Sequence, residues 1–242
     1  MNGLAVISYA TVIKSGIVSC IAHNSLYQTY SLGTYGKTVG LYSVKDGSEM
    51  AILSGHTGGV THTAFSNDGN YIYTGARKDN RILCWDLRHL DSVLKTYKRS
   101  AKTNQRIYFD INRQDNTLSS GSSDGSIMSW TNDDREFKHD KAHNDCVNGV
   151  SYNPVLPAIL ISSSGQRKFP VPCDIKENDN ESSGSDVDSE LRVETGENSL
   201  KLWRQLKHDV GRCLIPYSTD WRVTAGAPIC PASCKLTTIL QP

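Results

Sequence analysis

His56 and Asp79 are the one pairing in this 242-residue chain that reads as an acid–base dyad. A histidine near a carboxylate can shuttle protons, or it can sit buried as a ring whose hydrogen bonds are all satisfied. A second group has a different chemistry: Arg77, Lys78, Arg106, Arg167 and Lys168, accompanied by Gln105 and Gln166. Arginine pairs bidentately with phosphate and stacks on bases, while glutamine can read base edges, so the set suits an anionic polymer. Tyr108 adds a ring on which a base can stack.

Spacing argues against other chemistries. Gly55 to Gly59 is not followed by the Gly-Lys-Ser/Thr of a phosphate loop. Cys20, Cys84, Cys146, Cys173, Cys213, Cys230 and Cys234 include no Cys-x-x-Cys pair, and His56 and His62 have no thiolate at zinc spacing. Their odd number speaks against a disulfide framework and for a reducing compartment, cytosol or nucleus. No nucleophile elbow or paired-carboxylate context occurs. The expectation is therefore a non-enzyme with no metal, cofactor or small-molecule substrate. No run approaches the ~20 apolar residues of a membrane span. The apolar start, Met1 to Ala10, lacks the basic flank of a signal peptide.

What positions these residues is a repeat. One unit contains Ser31-Leu-Gly-Thr-Tyr-Gly-Lys-Thr-Val-Gly-Leu-Tyr42, the next opens at Gly55-His56 and closes at Trp85-Asp86, and a third ends on Trp130. The closing aromatics, Tyr42, Trp85 and Trp130, are 43 and 45 residues apart. That period, with Gly-His early and Trp-Asp late, is the signature of WD repeats, each a four-stranded blade of a β-propeller. Alternating runs such as Val60-Thr-His-Thr-Ala-Phe65 predict strands over Val60 to Phe65, Tyr71 to Gly75, Arg81 to Asp86 and Ile127 to Trp130. Turn strings such as Asn67-Asp-Gly-Asn70 and Ser123-Asp-Gly125 separate them. A fourth unit begins at His143 and resumes at Ser199-Leu-Lys-Leu-Trp203. Between 170 and 199 lie nine acids against Lys176 and Arg192, so this stretch carries −7 and the remainder of the chain +8. Such a composition predicts a disordered insert within one blade. The fold expected is all-β, a partial propeller of about four blades over residues 1–203, with an irregular tail from 204 to 242.

The strings Gly75-Ala-Arg-Lys-Asp79, Thr103-Asn-Gln-Arg-Ile-Tyr-Phe-Asp110 and Ser164-Gly-Gln-Arg-Lys-Phe-Pro170 are not generic for WD repeats. With Gly58-Gly-Val-Thr-His62 and Leu83-Cys-Trp-Asp-Leu-Arg88 they resemble the telomerase Cajal body protein family, from about Ser15 to Phe169 and again near Leu200 to Trp203. The resemblance implies a non-catalytic scaffold in the nucleus and Cajal bodies, with some in the cytoplasm. Its implied partners are small Cajal-body RNAs, telomerase RNA and ribonucleoprotein proteins. Chaperonin dependence is expected from the apolar faces of an incomplete ring. A generic protein-interaction scaffold without RNA contact is the alternative. Resemblance to WD blades also implies a buried hydrogen-bonded group of His56, Thr74, Asp79 and Trp85, with Ser120, Asp124 and Trp130 as the counterparts in the third unit. Arg77, Lys78, Gln105, Arg106, Gln166, Arg167 and Lys168 fall in or beside blade turns, so one end of a propeller can gather them.

Overall fold

A computed structural model describes residues 16–133, 135–156, 158–165, 199–208, 211–216 and 221–222. Every regular element among them is a strand, as alternation and turn spacing require. The first antiparallel sheet is β1 (Val18–Asn24), β2 (Thr29–Thr34), β3 (Thr38–Ser43) and β4 (Glu49–Ser54). The second is β5 (Val60–Phe65), β6 (Tyr71–Ala76), β7 (Arg81–Asp86) and β8 (Lys95–Lys98). The third is β9 (Phe109–Ile111), β10 (Leu118–Gly121), β11 (Ile127–Trp130) and β12 (Glu136–His139). The fourth joins β13 (Val147–Tyr152), β14 (Ile159–Ser164), β15 (Ser199–His208) and β16 (Gly211–Pro216), with the short β17 (Trp221–Arg222) also pairing β15.

These sheets are successive blades of a WD-repeat β-propeller. Their first strands lie innermost and meet in order: β1 against β5, β5 against β9, β9 against β13. The core lies between blades. Val39, Leu41 and Leu53 of the first pack on Val60, Ile72, Leu83 and Trp85 of the second. Tyr73, Ile82, Cys84 and Tyr97 of the second pack on Phe109, Ile111, Leu118, Met128 and Trp130 of the third. Ile127 of the third meets Val147, Val150, Tyr152, Leu160 and Trp203 of the fourth. Each large apolar side chain buried this way contributes about 1.5–3 kcal/mol, which a lone four-stranded sheet cannot collect on both faces. Burial raises the thiol pKa of Cys84 to about 12 and of Cys146 to about 11, so both remain protonated, space-filling groups.

The fourth blade departs from the expected boundary at 203. Strand β15 runs on to His208, and β16 supplies the blade's next strand from residues expected to be irregular. The physical reason is the apolar run ending at Ile215, whose Leu214 packs against the third inter-blade core. The pairing of β14 with β15, Leu160 opposite Trp203, brackets the acidic stretch as an insertion between two neighbouring strands. Most of that stretch lies outside the described residues.

Candidate nucleic-acid interface

The second blade is tied together by a chain of side-chain hydrogen bonds. The Trp85 indole N–H donates to Thr74 Oγ1 at 3.2 Å, and His56 Nε2 lies 2.8 Å from the same hydroxyl. His56 Nδ1 is 3.0 Å from Asp79 Oδ2, which also accepts the Thr57 N–H at 2.9 Å, while Arg81 Nε donates to Oδ1 at 3.0 Å. Burial works to raise the Asp79 pKa, but the donors on His56, Arg81 and Thr57 outweigh it and hold the carboxyl far below its usual range. The His56 and Asp79 side chains are each 2% exposed, so this pair binds strand to turn and offers no proton to a substrate.

The fourth blade repeats the pattern with a different second partner. His143 Nε2 and Trp203 Nε1 each lie 2.7 Å from Ser162 Oγ, and His143 Nδ1 lies 2.7 Å from Ser199 Oγ, where the second blade has a carboxylate. The third blade does not form the group expected from Ser120, Asp124 and Trp130. Asp124 accepts from the Ser126 N–H and hydroxyl and faces Lys138 at 3.7 Å, whereas Trp130 packs against Tyr97 with ring centroids 5.3 Å apart. Ser120 is bonded instead by Arg99, whose Nη1 donates to it at 2.8 Å. The histidine of that blade, His139 at the end of β12, packs edge-on against Trp203 with ring centroids 4.5 Å apart rather than bridging hydroxyl and carboxylate.

The cationic residues sit on connections at one end of the propeller. The β6–β7 turn carries Arg77 and Lys78, and the β8–β9 connection carries Gln105 and Arg106. Backbone bonds join these segments: Arg77 N–H to Gly59 O at 3.0 Å and Lys78 N–H to Thr103 O at 3.1 Å. Gly58 permits the approach, since a Cβ there would lie 1.8 Å from the Arg77 carbonyl oxygen. Arg77 places its guanidinium 4.5 Å from the centre of the Tyr35 ring, on the β2–β3 turn. Arg106 reaches across to the first blade and donates from Nη2 to Ser19 O at 2.5 Å. The Tyr108 and Tyr35 hydroxyls raise its pKa further, so it is a permanent cation. Two arginines from different blades therefore converge on Tyr35, with Tyr108 beside them, and both rings remain more than a third exposed.

Tyr35 was invisible to a search for charge. Its only signal is the register of Thr34-Tyr-Gly-Lys37, which occupies the same turn in the first blade that Ala76-Arg-Lys-Asp79 occupies in the second. Behind the patch, the His62 ring packs edge-on against Tyr108 at 4.9 Å and donates from Nε2 to Phe109 O at 3.0 Å. Burial lowers its pKa to about 4, so the ring is neutral at physiological pH. Gln105 is turned inward, its amide N–H donating to Gly165 O at 3.2 Å. Gln166, Arg167 and Lys168 lie outside the described residues.

Comparison with known proteins agrees with this architecture. Residues 47–86 match the family model for the WD domain, G-beta repeat. Telomerase Cajal body protein 1 of Bos taurus is 46% identical over 166 residues, 66% of this chain and 31% of that protein. The Homo sapiens protein of the same name is 45% identical over 166 residues, 66% of this chain and 30% of its own length. Guanine nucleotide-binding protein negative regulator 1 of Schizosaccharomyces pombe is 34% identical over 180 residues, 71% of this chain and 44% of that protein. The chain thus spans about a third of the length of the telomerase Cajal body proteins it matches. Across the matched stretch the chain carries WD repeats and is similar to the telomerase Cajal body proteins, the family that its turn strings resemble.

Proposed function

We propose that this chain is a non-catalytic scaffold that binds small structured RNA of the Cajal-body class, telomerase RNA included. On this reading it directs the ribonucleoproteins to Cajal bodies in the nucleus, with some of the protein in the cytoplasm. The observation that carries the reading is the convergence of Arg77 and Arg106 on exposed Tyr35 and Tyr108 at one end of the blades. Guanidinium groups pair with phosphate while phenol rings accept splayed bases, the combination by which proteins hold hairpin loops. Lys78, exposed at a backbone φ of 52°, adds a cation to the turn that carries Arg77; Gln166, Arg167 and Lys168 are proposed as further contacts from the family resemblance of their string alone. Gln105, fixed on Gly165, supports the segment rather than reading a base. The names of the matched relatives support the RNA class, since telomerase is a ribonucleoprotein.

The test is titration of a Cajal-body RNA hairpin with single variants at two salt concentrations. Arg77→Ala and Arg106→Ala should fold and bind more weakly, each reducing the salt slope by about one unit if one phosphate contact is lost. Undiminished binding by both folded variants would place the RNA elsewhere.

A protein-binding scaffold without RNA is the second reading. It is favoured by Ile21, Met50 and Ile52, all more than half exposed on the first blade. Association through that face would barely respond to salt.

A further inference from the structure

Arg99 is buried to 5% exposure immediately after β8, with no carboxylate in hydrogen-bonding contact among the described residues. Its Nη1 donates both to Ser120 Oγ at 2.8 Å and to Ile107 O at 2.9 Å, while Nε and Nη2 have no hydrogen-bond partner among the described residues and the guanidinium lies over the Phe109 ring, 5.9 Å from its centre. In the second and fourth blades the equivalent hydroxyls, Thr74 and Ser162, are bonded by His56 and His143. An arginine has therefore taken the histidine's place in the third blade, and it changes where the second bond goes. A histidine there would reach toward the turn, as His56 does toward Asp79. The guanidinium reaches instead to the carbonyl between Arg106 and Tyr108.

Space has been made for it at some cost. A Cβ on Gly75 would lie 3.0 Å from Nη2 and 2.9 Å from the Phe109 ring, so only glycine leaves room. The donors on Nε and Nη2 have lost water without gaining an acceptor, an arrangement that opposes folding. Burial lowers the arginine's pKa to about 10, yet it stays charged at neutral pH. Such a residue is poor packing material, and its geometry accounts for it otherwise.

We infer that Arg99 is a positioning residue for the candidate RNA interface: by bonding the Ile107 carbonyl it fixes the backbone from which Arg106 and Tyr108 project. The RNA consequence rests on the function proposed above; the anchoring does not. Ile107 packs with Ala101 and Cys146, and the Tyr108 N–H donates to Asn148 O at 2.8 Å; the Ile107 carbonyl adds, between Arg106 and Tyr108, a link to Arg99 at the end of the second blade beside those made by Lys78 and His62.

Arg99→Met and Arg99→Lys in the 242-residue chain separate anchoring from packing. Met fills the slot without the buried charge, so the thermal midpoint should equal or exceed that of the parent. Amide exchange confined to residues 103–108 should accelerate about tenfold, the equivalent of one lost net hydrogen bond. Hairpin affinity should fall severalfold, and Lys, whose ammonium can serve both acceptors, should recover most of it. Unchanged exchange over 103–108 would overturn the inference. So would a lowered midpoint with faster exchange in all four blades, because Arg99 would then be a general stability residue. If the segment loosens while even the parent chain fails to bind hairpin RNA, the anchor stands and the RNA function falls.

Discussion

The relay in the second blade shows how little freedom its polar side chains have. The Thr74 hydroxyl serves Trp85 and His56, and both Asp79 oxygens are taken. Removing one member strands the rest in a dry interface. Trp85→Ala should cost about 3–5 kcal/mol and His56→Ala about 1–3 kcal/mol, seen as lost thermal stability. RNA binding should disappear only with the fold; a folded His56→Ala chain that fails to bind would give the residue a direct role. Because the folded-state pKa of Asp79 is depressed, its contribution is complete above the unfolded value of about 3.9 and is lost as pH falls below it. Acid denaturation of Asp79→Asn should accordingly lack that part of the decline, and titrations of stability from pH 6 to 2 check it. These roles were legible through the resemblance of Gly55-His56, Thr74, Asp79 and Trp85 to the hydrogen-bonded group of WD blades. Asp124 was not, because Ser-Asp-Gly reads alike whether the carboxylate turns inward to a histidine or, as here, outward to Ser126 and Lys138. Arg99 was hidden for the opposite reason: arginine ordinarily marks a surface, and nothing local announces that this one is buried.

Among the elements, turns do the positioning. Gly58→Ala should force the β4–β5 connection away from the Arg77 carbonyl, costing about 1–3 kcal/mol through the clash and displacing Arg77 from Tyr35. The expected outcome is a folded but less stable chain whose RNA binding weakens as in Arg77→Ala; wild-type melting and binding would show that the connection yields freely. The acidic stretch belongs at this scale too. Ser183 and Ser185 each precede an acid by three residues, and phosphorylation there would add charge able to compete with RNA. Deleting residues 174–198 should raise hairpin affinity at low salt, and unchanged affinity would remove the regulatory role. Period-two alternation placed β5, β6, β7 and β11 within a residue, since half-buried strands must alternate. It failed beyond Trp203, where prolines and the absence of an Asp-Gly turn concealed two more strands of the fourth blade.

For the whole molecule, stability comes from stacking, and the first blade has one face that the described blades do not stack upon. Ile21, Leu32, Gly40 and Ile52 form one cross-strand row on that face, with Ile21 68% and Ile52 55% exposed. Ile21→Ser with Ile52→Ser should raise solubility and lower binding of a hydrophobic dye without lowering the melting temperature. A fall in melting temperature would mean that the row is covered in solution. The same exposure accounts for an expected need for a chaperonin during folding, which release of the bound chain from chaperonin complexes would measure.

The bond from Arg106 to Ser19 links the third blade to the first and passes over the second. It is a chord drawn across an arc. A closed ring takes its curvature from closure, whereas a run of blades is free to open or tighten at each hinge unless something spans it. Arg106 makes that span at the end where Tyr35 and Tyr108 lie and contacts both hydroxyls, so it ties the two rings to one another there. The cation proposed to hold a phosphate is thereby also the gauge of the gap into which the RNA must fit.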